Sequence, residues 1–158
     1  GLRMWGYSSD HVVPLVGGMK FSKLKALSIT CEYSRQKIGV EEIVRSASAP
    51  HLEVLSIIQH PDEANQKEAD GVLTEIETKM PKLVSLLGVE CMDNPNLPSS
   101  VTYVTRCVLS SSAARDRPEG RLEVMRKSAS SKWLPVLKGT RIWREAMGDK
   151  YFKPNSGD

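Results

Sequence analysis

The sequence has few aromatic residues and few cysteines: its 158 residues include 3 Trp, 4 Tyr, 2 Phe and 3 Cys. The odd number of cysteines (Cys31, Cys91 and Cys107) and the lack of a C-x-x-C motif argue against a disulfide scaffold and a local zinc module. We expect three reduced thiols that are mostly buried. No apolar run approaches the roughly 18 residues of a membrane-spanning helix, and no secretion signal is evident. These absences predict no membrane span and favour a cytoplasmic or nuclear location.

Motifs of catalysis are also scarce. Tyr33 and Lys37 match the Y-x-x-x-K pair of short-chain dehydrogenases, but the sequence has no G-x-G-x-x-G motif to bind a dinucleotide. It also has no G-x-S-x-G elbow and no P-loop. His11, His51 and His60 lack the spacing of metal ligands. We therefore predict a protein that is not an enzyme, with no catalytic residues, no cofactor and no metal.

One pattern recurs along the chain. Residues 24–29, 52–57 and 83–88 all read L-x-x-L-x-(apolar or Gly), and residues 2–4 and 101–104 match half of it. The second leucine of the pattern and its equivalents fall at positions 2, 27, 55, 86 and 104. Because leucine alternates with other residues, the pattern predicts short strands. The first copy is incomplete, so we expect the chain to begin inside a repeat, as a piece of a larger protein.

Between these strands the apolar spacing changes to that of a helix. Segments 38–49 and 64–80 carry apolar residues at i, i+3 and i+4. Pro50 and Pro81 end these helices and lead into the next strand, because proline cannot continue a helix. The unit is therefore a strand followed by a helix, and it buries its leucines only against neighbouring units. An ordinary α/β domain with a parallel sheet is the alternative.

The repeated unit resembles the leucine-rich repeat family, whose pattern is L-x-x-L-x-L-x-x-N/C-x-L. The matching residues of the fourth strand are Leu83, Leu86, Gly88 and Cys91. Glu32 and His60 occupy the N/C position in the two preceding repeats. The resemblance implies an α/β solenoid over residues 1–109, with a parallel sheet on its concave face and helices behind.

Residues 49–55 and 97–102 are similar to the degenerate repeats of F-box-type proteins, particularly fungal ones. That resemblance implies a protein–protein interaction scaffold, as the substrate-recognition part of a ubiquitin-ligase receptor. The F-box itself is not evident in these residues, so the receptor role is implied for a parent chain. The partner would be another protein.

Side chains that alternate with the strand leucines should point away from the helices and line a solvent-exposed face. Aromatic residues and arginine anchor many protein interfaces, which favours Arg3, Trp5, Tyr7 and Tyr103, although Trp5 has the alternative role of capping the core. The predicted binding residues are Arg3, Trp5, Tyr7, Ser28, Thr30, Glu32, Ser56, Ile58, His60, Tyr103 and Thr105, with Ser85, Leu87 and Val89 on the same face.

The repeat pattern ends after Leu109. We predict a loop or linker over 110–120, a basic helical C-terminal cap over 121–152 and a disordered tail over 153–158. The cap is expected to contain one or two helices, with a break near Pro135 or Gly139.

The two parts of the chain differ in charge. Residues 1–105 hold 10 Lys or Arg and 13 Asp or Glu, whereas residues 106–153 hold 12 and 5. A cap that covers the last repeat is the simplest role for the basic part. The alternatives are a membrane-surface helix or a nucleic-acid surface, which is disfavoured because no nucleic-acid motif is present. The residues for these alternatives are Arg126, Lys127, Lys132, Lys138, Arg141 and Arg144, with Trp133 and Trp143.

Overall fold

The computed structural model describes residues 1–5, 21–30, 44–45, 47–58, 66–109 and 120–153. The strands are β1 (Leu2–Trp5), β2 (Ala26–Thr30), β3 (Val54–Ile58), β4 (Ser85–Glu90), β5 (Tyr103–Leu109), β6 (Gly120–Lys127) and β7 (Trp133–Pro135). The helices are α1 (Gln66–Lys79) and α2 (Arg141–Met147), and a 3-10 turn (Asp149–Tyr151) follows α2.

All the strands form one open seven-stranded sheet in chain order. Strands β1 to β5 are parallel, while β6 and β7 extend the sheet antiparallel. The predicted α/β class with a parallel sheet over the repeats is confirmed.

The repeated leucine positions pair directly across the parallel strands. Leu27 of β2 pairs with Leu2 of β1 and with Leu55 of β3. Leu86 of β4 pairs in turn with Leu55 and with Val104 of β5. We call these five residues the leucine row. Leu27, Leu55, Leu86 and Val104 are fully buried, and a buried aliphatic side chain contributes about 1.5–3 kcal/mol. Because a slip of one residue would turn every leucine to the other face, the row fixes the register of the sheet.

Strands β2 to β5 are all entered through a β-turn of the same form. Its closing hydrogen bonds run from the N–H of Leu24, Leu52, Leu83 and Val101 to the carbonyls of Phe21, Ala49, Met80 and Pro98, at 3.0–3.2 Å. Pro50 and Pro81 occupy the second position of their turns, where the fixed φ of proline is favoured. The prolines before the strands are thereby explained as turn residues.

Helix α1 covers one face of the sheet. Its Val72, Leu73 and Ile76 are fully buried in the same core as the leucine row, and the Met80 N–H donates to the Ile76 carbonyl at 2.8 Å just before Pro81. The helix predicted over 64–80 is thus confirmed with slightly narrower bounds. The helix predicted over 38–49 lies mostly outside the described residues.

The C-terminal prediction over 121–152 was wrong in its first half. Residues 121–127 belong to β6, which pairs with β5 along its whole length, and a second short strand, β7, follows. This segment forms a strand because the backbone groups along the edge of β5 would otherwise lack hydrogen-bond partners. Residues 121–124 alternate polar and apolar side chains, so they fit this edge. Helical structure begins only at Arg141, and the predicted linker lies outside the described residues apart from Gly120.

Gly88 explains why the fourth repeat departs from the apolar pattern. Its φ is +88°, and a Cβ there would lie 1.7 Å from the Ile57 carbonyl oxygen of β3. Its N–H donates to Thr105 Oγ1 at 2.8 Å, and the pairing of β4 with β5 shifts between Leu86 and Glu90. Val89 consequently joins the core beside α1, which corrects its predicted place on the opposite face.

Replacing Gly88 by alanine should therefore destabilise the fold strongly. We expect a loss of about 3 kcal/mol or more in the free energy of unfolding, because backbone strain and a clash with β3 act together. Gly139 is a matched control, since its φ is +85° but a Cβ added to it would meet no atom beyond its chain neighbours within 4 Å. Gly139→Ala should cost only about 1–2 kcal/mol. Urea unfolding of both variants tests this, and equal losses would contradict it.

Candidate functional site

The sheet face opposite α1, here called the outer face, is partly covered by the C-terminal segment 141–152. Ala146 of α2 is buried together with Leu87 of β4 and Val124 of β6. Half-buried side chains around them are Tyr103, Val136, Trp143 and Met147. The face predicted to be open to solvent is therefore closed over its middle by the end of the basic part, while its first strand, β6, covers the edge of β5.

The local sequence explains why α2 forms and stops where it does. The Thr140 side chain caps the helix by accepting from the Trp143 N–H at 3.1 Å. Gly148 ends the helix in the left-handed region at φ +68°. A Cβ on Gly148 would lie 2.9 Å from Val54 Cγ2, so glycine also lets the chain approach β3 closely.

Polar contacts hold the end of segment 141–152 against the first strands. Lys25 Nζ lies 2.9 Å from Glu53 Oε1, and the Tyr151 hydroxyl donates to the other oxygen of Glu53. Hydrogen bonds from Lys25 and Tyr151 hold the pKa of the Glu53 carboxyl below its usual value. Arg3 lies 3.5 Å from Asp149.

Arg3 also stacks on the C-terminal segment. Its guanidinium carbon lies 4.0 Å from the centre of the Phe152 ring, a geometry in which the cation is attracted to the ring face. The Arg3 side chain is therefore committed to contacts inside the chain, although half of it stays exposed.

The predicted binding residues fall into three groups. Ser56 and Thr105 are buried, while Ser28 and Tyr103 are half-buried. Ser85 and Leu87 are buried as well. The Thr105 hydroxyl is used inside the fold by Gly88. Residues that lie outside the described part of the chain are Tyr7, Glu32 and His60.

The third group remains accessible and forms a contiguous row. Trp5 pairs with Thr30, and Thr30 with Ile58, at the carboxyl ends of β1 to β3. Trp5 is 68% exposed, and Thr30 and Ile58 are half-buried. We call these three residues the Trp5 row. Trp5 is the exposed member of this row, and Thr30 and Ile58 are half-buried as Ser28 and Tyr103 are.

The entry turns form a cationic hollow that the sequence reasoning missed. An open cavity of about 520 Å³ is lined by Ser22, Lys23, Lys25, His51 and Lys82. Lys82 Nζ lies 3.2 Å from His51 Nδ1. The sequence contains a pattern that could have predicted this hollow, because Lys23, His51 and Lys82 hold the same position in successive turns.

Among the described residues, no arrangement of His, Cys, Asp and Glu could hold a metal ion. Cys91 is buried and Cys107 is half-buried, whereas Cys31 lies outside the described residues. Burial raises the pKa of the Cys91 thiol to about 12, so this thiol is not a nucleophile at neutral pH. In the described part of the chain, no helix has the length and apolar character needed to cross a membrane.

No protein-family model, curated protein or solved structure matches the chain. The likeness to leucine-rich repeats therefore stays a prediction from the sequence.

Ser56 offers a test of how closely the C-terminal segment seals the outer face. Its hydroxyl is buried and has no hydrogen-bond partner, and such a group costs free energy. We expect Ser56→Ala to raise the free energy of unfolding by about 1 kcal/mol. Chemical denaturation measures this, and a loss of stability would show that the hydroxyl has a partner.

Glu53 should make stability depend on pH through its contact with Tyr151. Its lowered pKa means that it contributes stability above its unfolded pKa, and this contribution is lost as the pH falls through the folded value. Tyr151→Phe should cost about 1 kcal/mol near neutral pH and less at an acid pH below the lowered pKa of Glu53, where the carboxyl is protonated.

The control for this measurement is Glu53→Gln. Tyr151→Phe should have a smaller effect in the Glu53→Gln background, because no carboxylate is left to accept the hydroxyl. The free energy of unfolding of both variants should still fall in acid, since hydrogen bonds from Arg121 and Arg106 also lower the pKa of Glu123. Equal effects of Tyr151→Phe at both pH values would contradict the assignment.

Proposed function

We propose that the chain is a protein-binding module that holds its partner through the Trp5 row. The observation that carries this proposal is the exposure of Trp5, 68%, beside Thr30 and Ile58 in one register row. Large aromatic side chains bury much area at low entropic cost and dominate the energetics of many interfaces. A tryptophan left in water, in one row with a half-buried isoleucine, is well suited to such an anchor.

The partner that fits best is an extended apolar peptide segment. Among the described residues, β1 is the last strand at its end of the sheet, so its outer edge can pair with an added strand. Such a strand would place an alternate side chain against Trp5, while its backbone bonds to β1. Pairing gives affinity and the tryptophan contact gives specificity.

The finer proposal is that the described repeats belong to a leucine-rich-repeat solenoid that recognises substrates for a ubiquitin ligase. The in-register leucine row and the repeated entry turns support the repeat architecture. The ligase role rests on the resemblance to F-box-type repeats alone. Its direct test is whether the full-length protein co-purifies with a ligase adaptor.

Nucleic-acid binding through the basic residues is the weaker alternative. Trp133 packs against the main core with Lys127 5.8 Å from its ring centre, and Trp143 packs into the outer-face cluster. Both rings are half-buried in the fold, so neither of them offers an open face on which a base could stack.

Affinity capture with quantitative mass spectrometry tests the binding role, followed by calorimetry with the captured protein. Trp5→Ala should weaken binding by about 30-fold or more, as expected when an interface anchor is lost. Glu77→Ala, on the exposed side of α1, is the control and should leave binding unchanged. If Trp5→Ala binds as the unaltered chain does, the Trp5 row is not the binding site.

A further inference from the structure

Residues 126–144 form a continuous cationic stretch. They contain six Lys or Arg and no Asp or Glu. Five of the six are exposed in the structure, namely Arg126, Lys132, Lys138, Arg141 and Arg144. The stretch runs through β6, β7 and α2, so these charges lie on consecutive elements of the described fold.

Two exposed leucines lie within this stretch. Leu134 is 54% and Leu137 is 76% exposed, and Trp5 is the one other large apolar side chain that is exposed among the described residues. Leu134 lies directly across from Arg126 in the pairing of β6 with β7. Leu137 opens a turn that closes at Thr140, with Lys138 next to it in the turn. Apolar and cationic side chains are thus interleaved.

Few acidic groups balance these charges. Arg141 Nε lies 3.5 Å from Glu145 one helical turn later, and both side chains are at least half exposed. Arg126, Lys132 and Lys138 form no ion pair with another described residue. We call the surface formed by Arg126, Lys132, Leu134, Leu137, Lys138 and Arg141 the cationic leucine patch.

We propose that the cationic leucine patch docks on the surface of an anionic lipid bilayer. The lysines and arginines would lie among anionic headgroups, while Leu134 and Leu137 would enter the boundary with the acyl chains. A lipid surface accommodates both kinds of side chain, whereas a nucleic acid would attract the charges and leave the leucines in water. Charge and apolar insertion act together here, and stable membrane anchoring generally takes two such signals.

Vesicle sedimentation of the 158-residue chain tests this proposal. The probe is a vesicle of phosphatidylcholine with about 30 mol% phosphatidylserine, compared with pure phosphatidylcholine, at about 0.15 M salt. We expect binding to the anionic vesicles only. Leu134→Ser with Leu137→Ser should weaken it by about tenfold or more, and Lys138→Gln with Arg141→Gln by about 25-fold, at roughly fivefold for each charge.

The matched control removes the same number of charges elsewhere. Lys23→Gln with Lys82→Gln alters the cationic hollow, which has no exposed large apolar side chain in its lining, and should leave vesicle binding within about twofold. Unfolding curves of all variants exclude loss of the fold as the cause.

Two outcomes would overturn the proposal. The first is vesicle binding that the leucine pair does not affect or that the control pair weakens equally, because the interaction would then be charge attraction alone. The second is tighter retention on single-stranded DNA or duplex RNA at the same salt, unaffected by the leucine substitutions, which would assign the patch to nucleic acid.

Discussion

The pairing of the leucine row across the parallel strands is the constraint on which the rest of the fold depends. Leu27, Leu55 and Leu86 are fully buried on the α1 side of the sheet, and their direct pairing decides which residues face the other way. Once that register is set, Ser28, Ser56 and Leu87 must form one row on the outer face. Both the buried outer cluster and the open Trp5 row follow from it.

A sheet with a polar outer face would need no cover, but this outer face is mixed. Val54 and Leu87 lie on it beside Ser56, and the apolar members gain from burial. Segment 141–152 supplies that cover with Ala146 and Gly148, whose small size lets the chain approach the strands closely. Burial of this face is unfavourable at Ser56, because its hydroxyl loses hydrogen bonds to water and has no hydrogen-bond partner in the fold.

The features set by local sequence were predictable, and those set by distant contacts were not. Leucine spacing and Pro50 and Pro81 indicated the parallel strands, their order along the chain and α1, because burial and turn geometry act over a few residues. Strand β6 was missed because the side-chain pattern of residues 121–127 is compatible with either a helix or a strand. Pairing with the edge of β5 makes this segment a strand. Similarly, period-two alternation indicated which side chains share the outer face but could not show that α2 would lie on it.

The C-terminal segment divides the predicted face into a covered part and an exposed part. Ser56 and Thr105 are buried in the outer face, and Trp5 stays exposed at one end of it. Leu134 and Leu137 precede that segment in the chain and are exposed near Lys132 and Lys138. Because the contacts of Glu53 and Arg3 hold the segment near β1, the Trp5 row and the segment share a border. Binding at the Trp5 row would therefore depend on how firmly residues 149–152 are held, and that coupling follows from the contacts of Arg3 with Asp149 and Phe152.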